Sequence, residues 1–302
     1  MDPVQRTVVR RRRQDLAFNV LGIGCTLVGL VTLALLLADL AFDGLARIDW
    51  QFVGSFPSRA AARAGILSAW VGTLLIMGVT AFVAVPLGVA AGVYLEEYAP
   101  KNRMTSMIEI NIANLAGVPS IIYGLMALGL FVDYLGLGPS VLAGGLTLAV
   151  LILPIVIVAT RESLRAVPAS IREAAYAMGA TKWQVTWHHL LPCSSAGIAT
   201  GVIIGLSRAI GETAPLITIG ALTFIAFLPP SPVQAQPPFL SFDWLGSPFT
   251  VLPIQMFNWL SRPTRDFHAN AAATGIILVA FTLALNSVAV AIRYRMRKRV
   301  KW

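Results

Sequence analysis

Two ionisable residues, Arg208 and Glu212, interrupt a long apolar run. Their i, i+4 spacing puts both side chains on one face of a helix, within reach of each other. Arg208 falls roughly 16–22 Å from the expected cytoplasmic end of that helix, near the middle of a bilayer or beyond it. A charge at such depth costs about 2.5–3.5 kcal/mol on insertion scales, so it must face a bundle interior or a water-filled path. Two readings follow. One is a mutually neutralising structural pair. The other is an anion path, in which Arg208 offers its planar donor fork to an oxyanion while Glu212 orients it and weakens retention. Pro215 follows closely and breaks helical hydrogen bonding, which lipid tolerates where the freed groups are protein-buried or line a cavity.

Other chemistries are poorly served. His188 and His189 are adjacent, so on a helix they point about 100° apart and make a solvated pair rather than a metal site. Cys25 and Cys193 have no ligand spacing. No H-E-x-x-H or G-x-S-x-G pattern occurs, and there is no Gly-Lys dipeptide for a phosphate-cradling P-loop. The chain is therefore read as a non-enzyme without a metal or cofactor of its own, dependent on another polypeptide for any ATP hydrolysis.

The elements that must position Arg208 are membrane spans. Of 302 residues, 57% are hydrophobic and only 12% charged, against about 25% charged in soluble domains. The apolar residues come in blocks long enough to cross a bilayer core of about 30 Å. Six such blocks lie at roughly 16–40, 67–94, 107–132, 140–160, 194–228 and 270–292. The first, preceded by Arg10 to Arg13, is too long for a signal peptide and is read as a span. With the N-terminus inside, 17 of the 23 Lys and Arg residues fall on inner segments and five on outer ones, which places both termini in the cytoplasm. The +9 charge is accounted for by these flanks rather than by nucleic-acid binding. Gly197, Gly201, Gly205 and Ala209 form a ridge of small residues suited to close helix packing.

Two hydrophilic segments remain, a cytoplasmic one at about 161–192 and an outer one at about 229–268. The outer one opens on Pro229, runs through Pro237-Pro238 and carries an apolar stretch, Phe249 to Leu260, expected at the membrane interface. In the cytoplasmic one, Pro168 and Gly179 punctuate a short helix, and a second short helix fits about Lys182 to Leu190. Such a pair suits either a groove on a soluble partner or the membrane surface.

Glu173-Ala174-Ala175, Gly179 and Leu191-Pro192 resemble the EAA loop of ABC importer permeases, with His189 where that family has isoleucine. The resemblance implies that Glu173, Ala174, Ala175 and Gly179 form the coupling helix that sits in a cleft of an ATPase. The stretches Ser207 to Leu216 (SRAIGETAPL), Asn114 to Gly124 and Trp259-x-x-Arg262-Pro263 are similar to the PstA-type phosphate permeases, a similarity running from about residue 67. It implies an all-α integral membrane protein of about six spans with the type I importer, MetI-like fold. Residues 1–66 would form a basic N-terminus, first span and outer loop, and residues 67–302 the permease domain. A PstC-type sister permease, two copies of a PstB-type ATPase holding ATP and Mg, and a PstS-type extracytoplasmic phosphate-binding protein would be partners. The expected function is inward phosphate carriage by alternating access across a bacterial or archaeal plasma membrane. Arg208 and Glu212 would line the path, and Ser207, Thr213 and Tyr123 are candidate hydrogen-bonding groups along it. A sulfate or molybdate permease would keep the EAA loop, whereas an ATP-independent transporter or channel would have no reason to carry one.

Overall fold

The computed structural model describes residues 3–233, 239 and 241–299, and the regular elements among them are helical. Pro237-Pro238 and Lys301 lie outside the described residues, as do the side chains of Arg6, Arg10, Arg13, Arg297, Lys298 and Arg299. Helix α1 spans Pro3–Gly44, and α2 spans Leu67–Val93, prolonged by a π-turn over Tyr94–Tyr98. Then come α3, Arg103–Leu115, and α4, Ser120–Ala127, prolonged by a wider π-turn to Tyr134. Helix α5 is Val141–Arg165 and α6 is Ala169–Ala177. Helix α7 runs unbroken over Lys182–Ile210, and α8 is the five-residue Ala214–Thr218. Helix α9 is Leu252–Leu260, and α10 is Asp266–Arg299.

Five segments are long and apolar enough to cross a bilayer singly: Gln14–Arg47, Leu67–Tyr98, Val141–Arg165, Lys182–Ile210 and Asp266–Arg295. The sixth is α3 with α4, bent by 105° between them. The six-span expectation holds with this bent pair counted as one span.

The bundle is built around α5, packed between α2 and α7. Lipid supplies no hydrophobic drive between helices, so close approach at small residues carries the packing. Gly88 lies on Val156, Gly92 on Thr160, and Gly145 on Val79. On the other side of α5, Gly197 meets Ser163, Gly201 meets Ala159, and Gly205 faces Ile152 and Val156. The ridge of small residues read from the sequence is thus the α5 contact face of α7, and Ala209 completes it in the core.

Helix α1 stands apart. None of its most apolar window is buried within this chain. It meets the rest at its C-terminal end, where Leu40 packs on Gly275 and Gly44 on Ala273 of α10. Arg47 then locks the following loop, donating to Asn270 Oδ1 at 2.8 Å and to the carbonyls of Ala62 at 3.0 Å and Ala64 at 2.9 Å.

Three expectations need correction. The third span is broken, because Pro119 cannot donate a backbone hydrogen bond and pushes Val118 out of the helical region. The fifth span ends at Ile210 rather than near 228. The second short helix expected over Lys182 to Leu190 is the start of α7. Pro192 does not break it, since a π-turn over Val185–Leu190 absorbs the missing donor. Helix α9 also packs on protein: Leu252, Ile254 and Trp259 are fully buried, Leu252 and Trp259 in one cluster with Phe52 and Phe267, while Phe257 and Leu260 stay exposed.

Candidate functional site: two intramembrane breaks and an ion-pair cluster

The breaks in the third and fifth spans meet. Helix α3 stops at Leu115 and α7 at Ile210, leaving the last carbonyls of each without intrahelical donors. At the first break the amides of Gly117 and Val118 donate to Asn114 and Leu115 at 3.0 and 3.1 Å. The Tyr123 hydroxyl, reaching back from α4, also donates to the Leu115 carbonyl at 2.8 Å. At the second break, the Glu212 amide donates to Ala209 at 3.2 Å, and the chain turns into α8 with Pro215 in its first turn. Gly124 of α4 lies directly on Pro215 and Thr218 of α8, with no room for a side chain. The Tyr123-Gly124 pair therefore joins the two breaks, one residue bonding and the other packing.

The depth of this junction follows from its neighbours. Ala209, Ile210 and Leu216 share a pack with Thr73 and Leu148. Each of the latter two is six or seven residues into its helix, or about 10 Å at 1.5 Å per residue. The breaks thus lie within the apolar thickness, nearer the end at which α2 and α5 begin. Irregular backbone at that depth is tolerated only where protein or a water-filled path surrounds it.

Arg208 occupies the last turn of α7, where a cation is favoured by the helix dipole. It is exposed, and Glu212 is half-exposed. The i, i+4 pairing expected on a continuous helix does not form: the helix ends between the two residues, and the described residues include no ion pair at either. Ser207 points away from this face, its hydroxyl lying 2.5 Å from Asn286 Oδ1 on α10 and 2.7 Å from the Ile203 carbonyl. Thr213 accepts backbone hydrogen bonds from Leu216 and Ile217 at the start of α8, and its side chain makes no cap. So Arg208, Glu212 and Thr213 cluster at the second break, Tyr123 closes the first, and Ser207 ties α7 to α10.

At the opposite end of the bundle, Glu173, Ala174 and Ala175 lie on α6, as expected. Gly179 adopts φ +81°, the left-handed region that favours glycine. The Gly179 amide donates to Tyr176 and the Ala180 amide to Ala175, at 2.9 and 3.1 Å, forming a Schellman-type stop. Thr181 and Gln184 then make a capping box that starts α7.

A cluster that sequence reading missed holds this segment. Arg172 of α6 pairs with Glu97 at 2.9 Å and donates to the carbonyls of Leu164 and Val167, both at 2.9 Å. Arg165 pairs with Glu96 at 2.9 Å, and the buried Arg161 reaches Glu109 of α3 at 2.6 Å and Glu96 at 3.6 Å. The adjacent Glu96 and Glu97 at the end of a span, and the i, i+4 spacing of Arg161 and Arg165, were its visible signs.

Residues 84–302 match the family described as "Binding-protein-dependent transport system inner membrane component". The chain is 32% identical to the phosphate transport system permease protein PstA of Mycobacterium leprae, over 96% of this chain and 92% of that one. It is 31% identical to PstA of Haemophilus influenzae, over 86% of each. It is also 31% identical to the probable ABC transporter permease protein YqgI of Bacillus subtilis, over 71% of this chain and 72% of that one. Among solved structures, a chain of the MetNI methionine ABC transporter in an inward-facing conformation matches with a TM-score of 0.57. That likeness, at 19% identity over 74% of this chain and 93% of the other, shows a shared fold. The chain therefore belongs to the inner membrane components of binding-protein-dependent transport systems, as a multi-pass permease of the PstA type.

Proposed function

We propose that this chain is the permease subunit of an ATP-driven importer that carries inorganic phosphate inward by alternating access. The observation that carries this reading is Arg208, a guanidinium without an ion-pair partner among the described residues, on an uncovered face within the membrane thickness. The similarity to PstA proteins over nearly the whole chain supports phosphate as the cargo. An unpaired guanidinium suits a tetrahedral oxyanion, to which it can present two parallel donors. Glu212 and Thr213 stand beside it at the same break. In this reading Glu212 repels the anion once Arg208 has received it, which keeps binding transient. Tyr123 shapes the site by holding the third span's break closed rather than by touching cargo, and Ser207 serves packing.

The remaining parts lie on partners. A PstC-type sister permease would supply the opposite wall of the path. The unburied length of α1, with Gly22, Gly24 and Gly29 open to close approach, supports a second membrane subunit beside this one. Two PstB-type ATPase copies, binding ATP and Mg, would receive α6 in their clefts. A PstS-type binding protein would dock on the outer segments of a permease domain spanning 67–302. Both termini would face the cytoplasm.

The test is reconstitution of the complete complex in proteoliposomes with labelled phosphate, sulfate or molybdate in competition. ATP-dependent uptake of phosphate that excess sulfate leaves unchanged is expected. Uptake of sulfate or molybdate in preference to phosphate would overturn the assignment of cargo.

A further inference from the structure

We propose that Glu109 is a positioning residue, through which the buried Arg161 ties the inner half of the broken third span to the coupling segment. The inference rests on the importer reading above, but not on phosphate being the cargo.

The inner half, α3, is thirteen residues long and none of them is buried. Its N-terminal hydrogen bonds are local, between Asn102, Thr105 and Pro100. At its other end it meets the 105° bend, where Tyr123 holds Leu115. Between these ends, among the described residues, the polar link from α3 to the bundle is the 2.6 Å pair of Glu109 and Arg161. A cleft of about 730 Å³, lined by Leu95, Glu96, Lys101, Ser106, Glu109 and Arg165, separates the end of the second span from α3. Within this chain, α3 is hinged at one end, holds no buried residue and faces open volume, so one ion pair sets its angle to the bundle.

That pair belongs to the coupling cluster. The Arg161 side chain is 8% exposed and shares Glu96 with Arg165. One turn further along, the Leu164 carbonyl accepts from Arg172, which carries α6 against Glu97. A displacement of α6 by an ATPase thus acts on Arg172, then on the cytoplasmic end of α5, and through Arg161 and Glu109 on α3. Intermediate position alone does not establish coupling, which requires an element with two states that the link biases. Helix α3 is that element here, and its swing is what must be measured.

Glu109→Gln keeps the side-chain shape and leaves Arg161 beside Glu96, so the complex should assemble. The measurement uses the full complex, with Cys25 and Cys193 replaced by Ser and spin labels at Met104→Cys on α3 and Phe82→Cys on α2, both exposed positions. With Glu109 present, ATP and vanadate shift the distance between the labels. With Gln the shift is lost, and cargo uptake per ATP hydrolysed falls about tenfold or more, a normal size for coupling between sites. Glu109→Asp, which keeps the charge, restores part of both. A retained shift with unchanged uptake per ATP would overturn the proposal. Failure of the Gln variant to assemble would also overturn it, by making the pair a structural one. A complex that moves no phosphate but whose shift depends on Glu109 would refute the cargo while upholding the link.

Discussion

The hydroxyl of Tyr123 donates to the carbonyl of Leu115 across the break in the third span, at 2.8 Å. It fills one of the carbonyl valences that the end of α3 leaves open, in a setting where water and lipid offer little replacement. Tyr123→Phe keeps the ring in the core and removes this bond alone. The expected loss is about 1 kcal/mol of stability, the net worth of a typical hydrogen bond, read as a lowered thermal midpoint of the purified complex. An unchanged midpoint would mean that the break is held by packing alone.

Gly124, the next residue, tests the junction between the breaks. A side chain there collides with Thr218 and with the backbone of Pro215. Gly124→Val is expected to destabilise by about 1–3 kcal/mol, the usual range for overpacking a filled site. Gly129→Ala is the control, because a Cβ there meets nothing within 4 Å. Equal behaviour of the two variants in thermal unfolding would contradict the contact between α4 and α8.

Gly179 ends α6 with φ +81°. Placing a side chain in that conformation costs roughly 1–2 kcal/mol. Gly179→Ala should therefore fray the end of α6 and weaken pull-down of the ATPase, while the membrane spans keep their helical signal. Unaltered ATPase capture would show that the stop motif does not shape the docking segment.

Arg172 is mostly buried against Glu97, and two backbone carbonyls share its guanidinium. Removing one partner of a buried pair strands the other and costs about 3–5 kcal/mol. Arg172→Gln should lower the thermal midpoint far more than Arg59→Gln, which alters an exposed loop. Comparable shifts would place the cluster among surface pairs of little consequence.

The spans, their number and the small-residue face of α7 were legible because lipid imposes length and composition on any helix that crosses it. Glu173 to Gly179 were legible because proline and glycine punctuate helices locally. The breaks were not. Arg208 and Glu212 read as partners at i, i+4 only if the helix continues, and hydropathy does not reveal that α7 stops at Ile210. Pro119 and Pro215 signalled the disturbances, yet proline also sits inside unbroken α2 and α5, at Pro86 and Pro154. The fate of Ser207 depended on Asn286, 79 residues away, and the ion-pair cluster joins residues as far apart as Glu96 and Arg172. Tertiary contacts of that range leave no periodic trace in a single sequence. The burial of Trp259 beside Phe52 and Phe267 was out of reach for the same reason.

The central claim is that Arg208 receives the transported anion at the intramembrane break. It is tested most directly by ATP-driven phosphate uptake in proteoliposomes holding the full complex, with the native chain compared against Arg208→Ala. The account predicts that uptake collapses in the variant while the subunits assemble and the ATPase still hydrolyses ATP. Uptake at the native rate in the assembled variant would contradict it, leaving Arg208 as a helix-end cation with no part in the path.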